Sequence, residues 1–175
     1  MGRPARPNVP GSRPYTGFDG VAPGITGGLA QFIIEARRTS GGVGHNLGAF
    51  GVREIRGKPG QMSVHATGRA VDIGYGRKAG YNEGNYGRDK FVPWLRRIVR
   101  DADRLGIEAI IDYWPEPHGR GWFCDRQAWT RYETRTVAGA PGGLWVHIEI
   151  SPLFARNAGL VRDGFRAVFP EIHAK

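Results

Sequence analysis

The stretch Ser63–Gly74, SVHATGRAVDIG, holds one His, one Asp and two Gly, and the reading of the whole chain turns on it. Gly68 punctuates it, so the residues before it read as a turn carrying His65 and the run RAVDIGYG after it as a strand carrying Asp72. His65 and Asp72 are seven apart, and the turn at Gly68 lets a loop-end His and a strand Asp converge. By themselves the two residues also describe an ordinary hydrogen-bonded surface pair.

A second piece lies downstream in LWVHIEIS, where His147 sits between Val146 and Ile148 in an apolar strand. Burying an imidazole among apolar residues is costly unless its nitrogens are engaged. The alternative is that the strand alternates and turns His147 to solvent beside Trp145 and Glu149. Taken together, His65, Asp72 and His147 supply the three-ligand N/O set of a catalytic zinc, with a fourth position left for water.

Around these two pieces the hydrophobic pattern predicts the remaining elements. ITGGLAQFIIEARRTSGG has Leu29, Phe32, Ile33 and Ala36 at helical spacing and then a Gly pair, predicting a helix that ends near Ser40. AFGVREIRG alternates as a strand would. GRDKFVPWLRRIVRDADRLGI carries a stripe of Phe91, Leu95, Ile98, Val99, Ala102 and Leu105, with Pro93 in its first turn and Gly106 as its stop. EAIIDYW and LWVHIEI read as strands, separated by a Gly/Pro/Arg-rich connection containing Trp122 and Trp129. PLFARNAGLVRDGFRAVF reads as a last helical segment broken near Gly159. The order favours an α+β fold, a small antiparallel sheet carrying the metal site and flanked by helices, over parallel βαβ units.

With 175 residues and 40% apolar content the chain fits one domain, assigned to residues 25–175. Residues 1–24 are rich in Pro, Gly and Arg without periodicity and read as an extended arm rather than part of the core. Cys124 is the single cysteine, which excludes an internal disulfide and a thiolate-rich zinc site. The N-terminus lacks the apolar core of a secretory signal, and no run reaches the length of a membrane span. The expectation is a protein made in the cytoplasm, without membrane insertion. The formal charge of +9 predicts attraction to a polyanion: nucleic acid, an anionic membrane face or anionic cell-wall polymers. Most basic residues are Arg, which a GC-rich codon bias explains as readily as phosphate recognition. No nucleic-acid reader motif is present and the basic residues are scattered, so no specific nucleic-acid partner is expected.

The pattern S-x-H-x-x-G-x-A-x-D, matched at Ser63, His65, Gly68, Ala70 and Asp72, resembles the signature of the D-alanyl-D-alanine carboxypeptidase-like zinc metallopeptidases. These are the VanY and VanX type, in the superfamily that also holds lysostaphin-type endopeptidases and the hedgehog signalling domain. Trp145–His147 is similar to the strand carrying that family's last ligand, and VREIRGKPGQMSVHATGRAVDIG resembles a run common in phage-encoded members. The likeness spans about Gly51 to Ser151. It implies His65, Asp72 and His147 as zinc ligands, Arg53 as a contact to substrate or oxyanion, and Ser63 as support for the ligand loop. It implies a peptidoglycan peptidase, endopeptidase or carboxypeptidase, acting on stem or cross-bridge peptides as a phage lysin released to the wall or carried in a virion.

Many relatives place a general base three residues before the last ligand, where this chain has Leu144. Without it a proton-transfer factor of about 10²–10⁴ is forfeited. Asp112, on a strand expected to neighbour that of His147, is the first substitute. Glu149 is the second, about 6–7 Å further along the strand of His147, and Glu116 and His118 are loop candidates. Trp114, Trp122 and Trp145 are candidates to line a substrate groove. A rival reading, motivated by Leu144, is a non-catalytic zinc-stabilised wall-binding or virion module that kept the ligands and lost the base.

Overall fold

The computed structural model describes residues 12–55, 57–76, 86–134 and 143–174. The expected arm therefore lies partly outside the described residues, as does most of the connection after Glu133.

Helix α1 (Gly27–Thr39) starts where the Thr26 hydroxyl accepts the Leu29 N–H, and buries Leu29, Phe32 and Ala36. Strand β1 (His45–Gly48) follows, then a 3₁₀ turn (Val64–Thr67) and β2 (Ala70–Gly74). Helix α2 (Arg88–Arg100) carries Pro93 and buries Phe91, Trp94, Leu95 and Ile98. Burial of such side chains stabilises the fold by about 1.5–3 kcal/mol each. Strands β3 (Ile107–Asp112), β4 (Arg120–Phe123), β5 (Ala128–Arg131) and β6 (Trp145–Ile150) come next, then helices α3 (Pro152–Ala155), α4 (Ala158–Val168) and α5 (Pro170–His173).

The strands form one antiparallel sheet in the order β1-β2-β6-β3-β4-β5, so the α+β expectation holds, with helices flanking the sheet. Side chains alternate across a strand, and residues directly opposite in register share a face. Val71, Ile73, Val146, Ile148, Ile110 and Trp122 point to one face, where they form a single core with the apolar sides of α1, α2 and α4. Asp72, opposite His147, and Ile111, also opposite His147, define the other face.

Several expectations are corrected. Among its described residues AFGVREIRG forms no strand: the free edge of β2 is taken by His45–Gly48, and the stretch makes an isolated Glu54–Met62 bridge with Phe50, Val52 and Ile55 exposed. Helix α2 ends at Arg100, and the chain reaches Gly106, which has φ +66°, through turns. The last helical segment is broken near Gly159, as expected: the break falls at Asn157, whose side chain caps α4 by accepting the Leu160 N–H. Helix α1 meets α3 at close range: a Cβ on Gly28 would run into the carbonyl oxygen of Phe154.

Residues 12–24 form no helix or strand, but they are bound along the domain rather than detached from it. The Arg13 guanidinium donates to Asp103 and to the Ile107 carbonyl, both at 2.7 Å, and the Ala22 N–H donates to the Ala66 carbonyl at 2.9 Å. This strap lies against the loop and strands of the face opposite the helices. Cys124 is buried and unpaired with any other cysteine.

Candidate metal centre

The 3₁₀ turn places the first candidate ligand. Ser63 caps it, its hydroxyl accepting the His65 N–H, and Gly68 closes it in the left-handed conformation with φ +67°. A side chain at Gly68 would be strained there and would also meet the Gly24 carbonyl oxygen. The chain then enters β2 and presents Asp72 beside His147 on β6. Sequence spacing and sheet register thus deliver His65, Asp72 and His147 to one point, where ligand atoms of all three lie within 4.8 Å of one another. These residues could hold a metal ion.

Asp72 Oδ1 is the hub of the cluster, 3.3 Å from His65 Nε2 and 3.0 Å from His147 Nδ1. Ligands at about 2.0–2.1 Å from a tetrahedral metal are separated from one another by about 3.3 Å, which is close to the two spacings from Asp72, and the three ligand atoms together lie within 4.8 Å. The set has two imidazole nitrogens and one carboxylate, with no thiolate. His147 is buried and points to the ligand face, which resolves the alternative of a solvent-facing imidazole.

His147 Nε2 is turned away from Asp72 and lies 2.9 Å from Glu149 Oε1. Glu149 Oε2 accepts the Tyr15 hydroxyl at 2.7 Å. Both Glu149 oxygens are therefore engaged, one on a candidate ligand and one on the strap. Beyond the ligands, Tyr113 stacks on Trp145 with ring centroids 3.9 Å apart. Burial pushes the Tyr113 hydroxyl far above its ordinary range, and the nearby charges of Asp72 and Glu149 push it further while Arg53 opposes them. Tyr113 is thus a neutral phenol on this face.

The protonation states follow from the cluster. Burial alone would raise the Asp72 carboxyl, but hydrogen bonds from His147 and His65 override it and hold it well below the usual carboxylate range. Burial alone would lower the His147 imidazolium, yet hydrogen bonds to Asp72 and Glu149 and their charges hold its pKa up at about 10, from an ordinary 6.5. A raised folded-state value contributes stability that is complete below 6.5 and is lost as pH rises toward 10. Metal-free protein is therefore expected to lose about 3–5 °C of melting temperature per pH unit between pH 7 and 9. A His147→Gln variant should show a flatter profile over the same interval, and equal slopes in the two proteins would refute this account.

The other candidates separate. Ser63 is buried and supports the ligand loop. Arg53 is exposed on the stretch before the 3₁₀ turn, and its carbonyl accepts the Ser63 N–H at 3.0 Å. Trp145 borders the site, whereas Trp122 is in the core on the other face, and Trp114 stands over Arg88 at 5.8 Å. Glu116 and His118 lie in the β3–β4 connection, outside the ligand cluster.

Asp112 requires correction. Its register partner is Val146, so it projects to the helical face, away from His147. There it is fully buried, taking two hydrogen bonds from Arg88 at 2.7 and 2.8 Å, others from Arg120, and one from the Trp114 N–H. Strands β3 and β6 are neighbours, as their sequences suggest, but the alternation of side chains puts Asp112 on the wrong side of the sheet for a general base. Sequence reasoning also missed Tyr15 and Tyr113. Tyr113 directly follows β3, so alternation from Ile111 could have placed it on the ligand face; nothing local marked Tyr15.

No family model matches the chain, and comparison with curated proteins and with solved structures gave no match.

Proposed function

We propose that the chain is a zinc-dependent peptidase that cuts peptides of bacterial peptidoglycan. The observation that carries this reading is the convergence of His65 Nε2, Asp72 Oδ1 and His147 Nδ1, which stand 3.3 and 3.0 Å apart across Asp72 in a cluster whose ligand atoms lie within 4.8 Å. It is joined to the resemblance of Ser63–Asp72 and Trp145–His147 to the D-alanyl-D-alanine carboxypeptidase-like enzymes. The N/N/O donor set suits zinc with an open position. When bound, zinc would supply Lewis acidity and a water acidified to a pKa near about 7.

The residues of the chain then have distinct tasks. His65, Asp72 and His147 hold the metal. Glu149, with one oxygen on His147 and the other on Tyr15, orients the imidazole. Arg53 offers an exposed cation to a substrate carboxylate or a developing oxyanion. Tyr113, kept protonated, is a hydrogen-bond donor beside it.

Gly74 shares the face of Asp72, and the His45 imidazole and the Leu47 side chain lie close against it: a Cβ there would meet His45 Nε2 at 2.8 Å and Leu47 at 3.0 Å. Leu144, at the position that relatives give to a carboxylate base, packs against Gly76 in the same way, 3.1 Å from where a Cβ would stand. Among the described residues no helix is long and apolar enough to cross a membrane, and the +9 charge suits an anionic wall.

One observation favours a second reading, a zinc-stabilised module without catalysis: Asp112 is locked on the other face, and Glu149 is the carboxylate that touches the ligand set. A single assay separates the two. Purified protein loaded with zinc is incubated with peptidoglycan from several bacteria, and new amino termini are measured with and without a chelator. Chelator-sensitive release supports the peptidase. Stoichiometric zinc with no release from any wall sinks it in favour of the module.

A further inference from the structure

The strap touches both segments that carry the ligands. On the β6 side, the Tyr15 hydroxyl donates to Glu149 Oε2 at 2.7 Å, and Glu149 Oε1 stands 2.9 Å from His147 Nε2. On the other side, Arg69, which lies between His65 and Asp72 in sequence, donates to Asp19 at 2.9 Å and to the Gly17 carbonyl. The same guanidinium donates to the Ile150 carbonyl at the end of β6, so one buried cation ties strap, ligand loop and ligand strand together. Thr16 adds a 2.7 Å hydrogen bond to Glu108, and the Tyr15 ring packs edge-on against Phe123 with centroids 5.0 Å apart.

This arrangement has a specific consequence for His147. Fixing one ring nitrogen of a ligating imidazole by a hydrogen bond sets both the tautomer and the ring plane of the other nitrogen. Glu149 can do so only if its own carboxylate plane is fixed, and Tyr15 holds the second oxygen. Truncated to Phe, Tyr15 would keep its ring against Phe123 and lose the hydrogen bond to Glu149.

We propose that Tyr15 is a positioning residue of the metal centre, delivered by the strap, which acts through Glu149 to aim His147 Nδ1 at the metal. The proposal rests on the metal reading above and adds to it a residue some fifty positions upstream of the first ligand. The strap is then part of the site and not a tether.

The test is a double-mutant cycle on zinc affinity, measured by competition with a chromophoric chelator. It uses wild type, Tyr15→Phe, Glu149→Ala, Glu149→Gln and the Tyr15→Phe/Glu149→Ala double variant. Tyr15→Phe is expected to weaken zinc binding about 10-fold, the low end for loss of a supporting group. It should cost nothing further once Glu149 is Ala, and Glu149→Gln, which keeps an acceptor, should lose less than Glu149→Ala. In the zinc-loaded protein, the His147 Nε2–H proton should exchange with solvent faster in Tyr15→Phe than in wild type at an unchanged melting temperature, and the difference should vanish in the Glu149→Ala background. An equal loss in both Glu149 backgrounds, or zinc bound through His147 with no loss in Tyr15→Phe, overturns the proposal alone. A wild type that takes up no zinc overturns the metal reading and the proposal with it.

Discussion

Replacing His147 is expected to remove stoichiometric zinc binding. Wild type should carry about one zinc per chain, and His147→Ala or Asp72→Ala should weaken binding by more than about 100-fold, beyond the 10–100-fold that loss of a supporting residue costs. The reason is geometric: Asp72 Oδ1 lies 3.3 Å from one imidazole and 3.0 Å from the other, so deleting either His147 or Asp72 leaves two donors at most. Removing the imidazole also leaves the Asp72 and Glu149 carboxylates facing a void, which loosens the metal-free fold. His147→Gln is the control for that effect, because it keeps a polar group between the carboxylates without supplying an imidazole. His118→Ala, which alters a His outside the cluster, should bind zinc as wild type does. The measurement is metal content after gel filtration, with circular dichroism to check folding. Unchanged zinc content in folded His147→Gln would sink the ligand assignment.

The part of this architecture that was legible in the sequence is the part written in local pattern. Phe91, Leu95 and Ile98 recur at helical spacing because α2 buries one side, and the apolar run around His147 reads as a strand because β6 is central in the sheet. The S-x-H-x-x-G-x-A-x-D pattern was legible for a physical reason: Gly68 must adopt φ +67° and leave room for the Gly24 carbonyl, while Ser63 must cap the turn. Contacts that depend on which neighbour wins a sheet edge were not legible. Alternation in AFGVREIRG is real, yet His45–Gly48 pairs with β2 instead. The short β4–β5 hairpin, with Trp122 opposite Trp129, was hidden in a Gly- and Arg-rich stretch. Tyr15 lies in a segment whose composition reads as an arm, and only tertiary contacts reveal that it reaches Glu149.

The second large effect concerns Asp112, and it separates a structural carboxylate from a catalytic one. Asp112 is 0% exposed and receives Arg88 in a two-pronged contact at 2.7 and 2.8 Å, with Arg120 within 3.0 Å. Arg88 is further tied to the Tyr75 hydroxyl at 2.9 Å, so the guanidinium cannot swing to solvent without breaking that bond as well. Breaking a buried ion pair by removing one partner costs about 3–5 kcal/mol, because the remaining charge, here the mostly buried Arg88 guanidinium, is left uncompensated. For a chain of this size that corresponds to a fall of about 6–20 °C in melting temperature for Asp112→Ala. Asp112→Asn, which keeps the shape and an acceptor, should fall less. The loss should be nearly independent of zinc concentration once each protein is saturated, since Asp112 faces the helices and not the ligands. A general base would behave in the opposite way: Asp112→Ala would melt like wild type, bind zinc normally and fail only in turnover. Thermal unfolding of zinc-loaded wild type, Asp112→Asn and Asp112→Ala decides between them. The alternation of side chains across β3 requires the first outcome, because Ile111 already occupies the position opposite His147 and Asp112 must point the other way.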